Sequence, residues 1–202
     1  MKVPIRLILT FLILSACSGE KPHLVNDIPS YSKAGFLQAV VEIPAGTTAK
    51  YEVDKVSGKL VWSTENGLPR DVAYLGYPGN YGFIPQTLSP KETGGDGDPL
   101  DVIILGPAVE RGIVIEIRLI GALKLKDRGE QDDKLIAVPI IGAFERIASL
   151  DQLEAAFPGA LEIIQLWFEN YKGPGMMVLE DVGETALANK ILTEAENAFK
   201  SQ

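Results

Sequence analysis

Strand-like segments fill most of this chain, and helical periodicity appears only near its end. Six apolar runs have the composition of β-strands: Phe36–Ile43, Ala49–Val53, Lys59–Ser63, Val102–Leu105, Val114–Leu125 and Lys134–Ile141. Helical spacing of apolar residues follows in two stretches, Leu161–Tyr171 and Leu187–Ala195. This order predicts the α+β class, with a β-barrel or a strongly twisted sheet packed by a few helices.

Size and charge narrow the classes of function. The chain has 202 residues, is 46% apolar and carries a formal net charge of −8, which suits one globular domain with a substantial core. Binding of nucleic acid requires a basic surface, so the acidic balance argues against such a partner. Anions that are bridged by metal ions remain compatible with it.

A loop rich in aspartate is the main candidate for a functional site. Within Gly95–Asp101, three carboxylates follow one another at Asp96, Asp98 and Asp101, and an apolar run begins directly afterwards. Crowded carboxylates repel one another unless they are solvated or surround cations. Because Gly97 and Pro99 restrict the turn and a strand anchors it, the loop predicts a divalent-metal site.

The loop does not follow the EF-hand calcium pattern. Counted from Asp96, the sixth position is Asp101 where glycine is required, and the twelfth is Pro107 where glutamate is required. No helical pattern precedes the loop either. Calcium binding of the EF-hand kind is therefore excluded.

Other charged residues are consistent with a site, but each also has a simpler interpretation. Lys50 and Glu52 share one strand face and would point into a barrel mouth, or they form a solvated charge pair. Glu42 interrupts an apolar strand, where an unpaired buried carboxylate would be costly. The acidic segment 126–134 contains Asp127 and Asp132, which could supply oxygen ligands for Mg²⁺ or Mn²⁺ or could simply lie in a charged turn.

The first residues have the pattern of an export signal. Residues 1–16 combine two basic residues with a short apolar run, and they precede Cys17, the single cysteine of the chain. This pattern resembles the lipobox of bacterial lipoproteins, which implies that residues 1–16 are removed and Cys17 is acylated. An ordinary secretory signal with a chance cysteine is the alternative. Ser18 resembles the residue that directs sorting to the outer membrane.

A tether is predicted between this anchor and the domain. Residues 17–35 lack periodicity and are rich in polar residues, glycine and proline, so the domain is expected over 36–202. His23, the single histidine, lies in this segment. Its position argues against histidine as a general base and against a histidine-rich zinc site.

Six blocks of sequence together resemble the soluble family I inorganic pyrophosphatases. The signature is Asp96-Gly-Asp98-Pro-Leu-Asp101, and the match extends from about residue 36 to the C-terminus. The remaining blocks occur in the family's order: Val41–Gly46, Lys50–Lys55, Asn80–Leu88, Asp127–Pro139 and Phe168–Lys172.

This resemblance implies a fold and a role for each candidate residue. The implied fold is a five-stranded barrel of the OB type with flanking helices that are mostly C-terminal. Asp98 is implied as the group that takes a proton from the attacking water. The implied ligands of several Mg²⁺ ions, or of Mn²⁺ or a similar divalent ion, are Asp96, Asp101, Asp127, Asp132, Glu42 and Glu52. The implied groups that hold the two phosphates are Lys50, Arg70, Tyr81, Lys134, Tyr171 and Lys172.

Some of these assignments have competing explanations in the sequence itself. Tyr171 also fits the apolar stripe of its helix, and Tyr81 could be a packing aromatic residue. Arg70 is one residue away from the family's usual spacing to Tyr81, because Ser63–Gly76 is longer than in compact bacterial members. Arg128 stands where the family usually has an acidic residue. Tyr77 is expected in the same wall of the site.

The expected function is Mg²⁺-dependent hydrolysis of pyrophosphate outside the cytoplasm. The expected location is the periplasmic side of a bacterial membrane, with a lipid anchor in the outer membrane, and a homo-oligomer is an open possibility. Two alternatives remain: a hydrolase of a larger phosphoanhydride, and a lipoprotein that binds metal or phosphate without catalysis. The presence of Asp98 with the full acidic set argues against the second alternative, because a simple binder needs no proton acceptor.

Overall fold

The computed structural model describes residues 21–202 as a mixed sheet with a few helices. The predicted signal peptide and Cys17 lie outside the described residues. The strands are β1 (Leu37–Ile43), β2 (Tyr51–Asp54), β3 (Lys59–Trp62), β4 (Thr64–Glu65), β5 (Leu68–Pro69), β6 (Asn80–Phe83), β7 (Asp101–Ile104), β8 (Val114–Asp127), β9 (Glu130–Gln131), β10 (Lys134–Pro139) and β11 (Met177–Glu184). The helices are α1 (Leu150–Ala156), α2 (Ala160–Asn170) and α3 (Thr185–Lys200), with a short 3-10 turn at Lys91–Thr93.

Five strands pair in a closed ring. The order around it is β1, β6, β7, β10 and β8, and β8 returns to pair with β1. All neighbours in the ring are antiparallel except β7 and β10, which run parallel. The length of β8 makes this closure possible, because its first residues pair with β1 while residues further along the strand pair with β10. The hairpins β2–β3 and β4–β5 form separate two-stranded ladders.

The core lies on both faces of the strands. In β7, Ile103 belongs to a cluster with α1 and α2, whereas Val102 and Ile104 belong to a cluster with α3. Burial of both faces explains why these strands read as continuous apolar runs and not as an alternation of apolar and polar residues. The helices therefore cover the sheet from two sides.

The sequence did not predict β6, β11 or α1. Strand β6 contains Asn80 and Gly82, yet all four of its residues are buried. A Cβ atom on Gly82 would lie 1.8 Å from the carbonyl oxygen of Val40, so glycine is required where β1 and β6 approach closely. Strand β11 lies between α2 and α3, so the predicted order of strands first and helices last is wrong at this point.

The part of the predicted tether that the structure describes packs on the domain. Val25 and Ser30 are buried, the Ser30 hydroxyl donates to the Pro85 carbonyl at 2.9 Å, and the Gln86 amide donates to the Val25 carbonyl at 2.9 Å. The structure thus differs from the expectation of a free segment over residues 21–35. The contacts are made by main-chain groups and by single side chains, which leave no periodic pattern in a sequence.

Within residues 21–202, no helix has the length and apolar character needed to cross a membrane.

Candidate active site

One cleft, with a volume of about 290 Å³, brings together all thirteen residues that the sequence predicted for the site other than Cys17. Six are carboxylates, at Glu42, Glu52, Asp96, Asp101, Asp127 and Asp132, and the seventh carboxylate is Asp98. The others are Lys50, Arg70, Tyr81, Lys134, Tyr171 and Lys172. Acidic and basic side chains therefore face the same cleft.

The ends of the ring strands position the centre of this cleft. Asp101 begins β7 and Lys134 begins β10, and these two strands run parallel with Val102 opposite Leu135. Parallel neighbours with this register bring their first residues side by side, and Lys134 Nζ lies 2.5 Å from Asp101 Oδ2. Lys134 and Asp101 are far apart in the sequence, so their contact could be found only from the pairing of the two strands.

Lys134 is the most enclosed charge in the cleft. Its side chain is only 1% exposed, and its ammonium group contacts both Asp101 and Asp132. Burial disfavours its charged form, but attraction to Asp101 and Asp132 outweighs burial, so the pKa of Lys134 lies above its usual range. For Asp132, attraction to Lys134 likewise overcomes desolvation and lowers the pKa, whereas burial raises the pKa of Asp101.

Glu42 is buried with a single main-chain partner. One of its carboxylate oxygens accepts a hydrogen bond from the Val53 amide at 2.7 Å. Desolvation, together with repulsion from Asp101, raises its pKa to about 8. Desolvation also raises the pKa of Asp96 to about 6, with further repulsion from Asp98 and Asp101. Both carboxylates thus lie where added positive charge would favour ionisation.

Two further ion pairs lie on the walls of the cleft. Lys50 Nζ is 2.9 Å from Glu52, and Lys172 Nζ is 2.7 Å from Asp127 Oδ2. The Lys50 side chain is 12% exposed, so the interpretation of Lys50 and Glu52 as a fully solvated pair does not hold for the lysine. The second oxygen of Asp127, Oδ1, is buried and has no hydrogen-bond partner.

Aromatic residues form the floor beside these charges. The Tyr81 ring lies within 6.0 Å of Lys50 Nζ and 5.9 Å of Lys134 Nζ. Burial raises the pKa values of Tyr81 and Tyr171, which keeps both hydroxyls protonated as donors. Tyr171 also stacks on Trp167 at 4.5 Å. This residue therefore both packs with its own helix and lines the cleft. Tyr77 packs against Tyr81 at 5.0 Å and against Tyr171 at 6.4 Å, so it belongs to the aromatic wall of the site as expected, although its side chain is buried.

The aspartate loop is held from its outer side by Lys55. This lysine donates to the Gly97 carbonyl at 2.9 Å and pairs with the Asp98 carboxylate. The Asp98 amide donates to Asp96 Oδ1 at 2.9 Å, which folds the loop on itself. Gly97 has φ +81°, a left-handed value that favours glycine. Lys55 was not singled out from the sequence, although it ends one of the matching blocks.

Six more residues line the cleft without having been proposed for it. Three are Val53, Phe83 and Pro99, and the other three lie at the turn between β8 and β10: Arg128, Glu130 and Gln131. For the residues of the turn, the signal in the sequence was the charged segment itself, in which Arg128 stands where the family usually has an acidic residue. Arg128 has φ +50°, which places its main chain in the left-handed region at the tip of this turn.

The described residues contain no preformed centre in which three acidic, histidine or cysteine side chains surround one point. Lysine ammonium groups contact several of the carboxylates instead. The donor set nevertheless fits hard divalent cations, since it consists of carboxylate oxygens. The unpartnered buried oxygen of Asp127 is the observation that supports this fit most directly.

The cleft combines carboxylates with lysine, arginine and tyrosine side chains. This combination suits a polyanion that binds together with cations, and it is typical of enzymes that act on phosphate groups. The family model described as inorganic pyrophosphatase matches residues 39–200. The chain therefore belongs to the inorganic pyrophosphatase family.

Individual relatives agree with this assignment. The inorganic pyrophosphatase of Gluconobacter oxydans is 40% identical over 171 residues, covering 81% of this chain and 91% of the relative. That of Campylobacter jejuni is 36% identical over 184 residues, covering 87% and 96%. Among solved structures, the type I inorganic pyrophosphatase from Toxoplasma gondii superposes with a TM-score of 0.82 at 28% identity, covering 91% of this chain and 90% of that one. The chain is thus an enzyme of this family.

Proposed function

We propose that this protein hydrolyses inorganic pyrophosphate to two phosphates with the help of divalent cations, Mg²⁺ in the first place. The observation that carries the proposal is the convergence of eight carboxylates with three lysines, two arginines and two tyrosines on one cleft. Such a cleft has positive groups for a compact polyanion and oxygen donors for the cations that accompany it. Its small size favours pyrophosphate over a larger phosphoanhydride.

Each group has a chemical task in this reaction. Water attacks one phosphorus atom, the bridging P–O bond breaks, and the second phosphate departs. Asp98 accepts the proton of the attacking water. The charge on the departing phosphate is stabilised by ammonium and guanidinium groups and by tyrosine hydroxyls, namely Lys50, Arg70, Tyr81, Lys134, Tyr171 and Lys172.

The carboxylates would hold the cations. The proposed ligands are Asp96, Asp101, Asp127, Asp132, Glu42 and Glu52. When bound, the divalent ions acidify water and neutralise phosphate oxygens. Lys134 and Lys172 contact three of these carboxylates, so their positive charges reduce the repulsion among the acidic groups.

We further propose that the ring of five strands is an OB-type barrel. The closed order with one parallel pair, β7 with β10, supports this proposal. The helices that cover it are α1, α2 and α3, of which all lie in the C-terminal part of the chain, as the resemblance implies.

Phosphate release from different substrates tests the activity. We expect the purified protein with Mg²⁺ to release phosphate from pyrophosphate, with a kcat/KM for ATP and tripolyphosphate at least about 100-fold lower. Chelation of the divalent ions is expected to abolish turnover, and added Mg²⁺ or Mn²⁺ to restore it. Faster hydrolysis of ATP or tripolyphosphate would favour a larger phosphoanhydride as the substrate. The absence of any turnover would favour a protein that binds metal or phosphate without catalysis.

We propose that the protein is exported and anchored by lipid on the periplasmic side of the outer membrane. Support comes from the sequence of residues 1–17 alone. Expression in a bacterial host is expected to place the wild-type protein in the detergent phase on phase partition, because acyl chains at Cys17 favour it. Cys17→Ser is expected to shift the protein out of this phase, and an unchanged distribution would contradict lipidation.

Self-association remains a proposal as well. Two apolar side chains on α2, Ile163 and Leu166, are exposed, as is Leu75, whose carbonyl accepts a hydrogen bond from Trp167 of the same helix. A second copy of the chain could cover this face.

A further inference from the structure

Three side chains form a stack behind the wall of the cleft that carries Lys50 and Glu52. The guanidinium carbon of Arg111 lies 3.4 Å from the centre of the Tyr51 ring. On the other side, the Tyr51 and Trp62 rings are 5.5 Å apart and nearly parallel, at 19°. None of these three residues is among those that line the cleft in the described part of the chain. We call them the Arg111–Tyr51–Trp62 stack.

Each end of the stack also binds the main chain of a site residue. Arg111 Nε donates to the Glu42 carbonyl at 2.8 Å, and Trp62 Nε1 donates to the Arg70 carbonyl at 3.0 Å. The same Arg70 carbonyl accepts the amide of Lys50 at 2.9 Å. The stack therefore joins the backbones of three segments that carry site residues: β1, β2 and the segment after β5.

The hairpin β2–β3 needs such a connection because it is not part of the ring. Its strands pair only with each other, with Tyr51 opposite Trp62 and Glu52 opposite Val61. Alternation along β2 places Tyr51 on the opposite face from Lys50 and Glu52. Contacts that hold the Tyr51 ring thus help to set the direction in which Lys50 and Glu52 face the cleft.

Other contacts also hold the hairpin: Val53 and Leu60 pack against Val40 and Phe83, and Lys55 binds the aspartate loop. The Val53 amide also binds the Glu42 carboxylate, which ties β2 to β1. That carboxylate is itself a proposed ligand, so it is not free to act as a structural anchor alone. The stack lies outside the cleft, where substrate and cations do not disturb it.

We propose that Arg111 and Trp62 are positioning residues for the substrate-binding wall of the cleft. By clamping Tyr51 and binding the carbonyls of Glu42 and Arg70, they hold Lys50, Glu52 and Arg70 in the geometry that receives the phosphate groups. The identity of the anion rests on the proposed function. The clamp itself rests on the contacts given above. Misplacement of catalytic groups by 1 Å can cost about 100-fold in rate.

Two variants and a matched control test this role. Arg111→Met removes the guanidinium but retains an unbranched side chain, and Trp62→Phe retains the aromatic face but removes the N–H donor. The control is Arg118→Met, because Arg118 also donates to main-chain carbonyls, those of Glu145 and Ile147, at a place outside the cleft. Arg111→Lys restores the positive charge without the planar guanidinium.

Kinetics with pyrophosphate and Mg²⁺ separate positioning from folding. We expect Arg111→Met to raise KM about 10- to 100-fold with a smaller change in kcat, since the groups it positions bind the substrate. Trp62→Phe is expected to raise KM severalfold, Arg111→Lys to recover part of the loss, and Arg118→Met to leave both constants within about twofold. Near-ultraviolet circular dichroism checks that each variant is folded.

Binding of inorganic phosphate, measured by calorimetry with Mg²⁺, keeps this proposal separate from the proposed function. Weaker phosphate binding by Arg111→Met and Trp62→Phe, but not by Arg118→Met, supports the positioning role even if pyrophosphate is not turned over. KM and phosphate affinity that are unchanged in folded Arg111→Met and Trp62→Phe would overturn it. Equal losses in Arg118→Met would overturn it too, because the effect would then be general. A wild-type protein that neither turns over pyrophosphate nor binds phosphate overturns both proposals.

Discussion

Replacement of Asp98 by asparagine is expected to lower kcat for pyrophosphate by roughly 10²- to 10⁴-fold, the usual contribution of a positioned general base. The amide is nearly the same size as the carboxylate but cannot accept the proton of the attacking water. Its oxygen can still accept the hydrogen bond from Lys55, which keeps the loop in place. KM should therefore change much less than kcat.

A control identifies the cause of this loss. Asp151→Asn changes an exposed aspartate in the first turn of α1 and should leave turnover unchanged. Phosphate release under saturating pyrophosphate and Mg²⁺, measured beside circular dichroism, compares the two variants. If Asp98→Asn retained wild-type turnover, another group would have to accept the proton, and the role given to Asp98 would be wrong.

Replacement of Lys134 by methionine is expected to lower the free energy of unfolding by about 3–5 kcal/mol in the absence of divalent ions, as is typical when one partner of a buried ion pair is removed. Methionine fills most of the volume but leaves Asp101 and Asp132 facing each other without the ammonium group. The same variant should lose nearly all turnover, because Lys134 is a proposed phosphate-binding group.

The measurement is denaturant unfolding with a chelator present and again with excess Mg²⁺. Added Mg²⁺ should recover part of the lost stability, since cations can replace the missing positive charge between the two carboxylates. Lys190→Met serves as the control, because Lys190 is exposed and its distance to Glu194 is 3.9 Å, so its removal should change stability by less than about 0.5 kcal/mol. A loss below 1 kcal/mol for Lys134→Met would contradict the view that Lys134 holds the carboxylates.

Much of the sheet could be predicted because its strands are apolar on both faces. Strands β7 and β10 appear as continuous apolar runs and β8 as a mostly apolar one, and all three were assigned to within a few residues. Strand β6 could not be found in the same way, since Asn80 forms hydrogen bonds to Ala45, Val109 and Pro107 that pattern analysis does not detect. These bonds satisfy a polar side chain that is fully buried.

The N-terminal segment forms contacts that its composition did not predict. Its polar composition is typical of a linker, yet Leu24 donates to the Gly58 carbonyl at 3.0 Å and Val25 is buried. Gly58 is also in contact range of His23, where an added Cβ would lie 2.2 Å from the imidazole. Contacts of this kind depend on which surface lies nearby and not on local pattern.

By itself, the sequence determined the chemical types at the site, because carboxylates, lysines and tyrosines in ordered blocks restrict the chemistry that a cleft can perform. It also determined the family. Only the tertiary structure decided which side chains meet: Lys134 with Asp101 and Asp132, Lys172 with Asp127, and Tyr51 with Arg111 and Trp62. The physical reason is that most of these pairs join segments far apart in the chain. They meet only when the five-stranded ring closes with its parallel pair and when α2 and the β2–β3 hairpin pack against the ring.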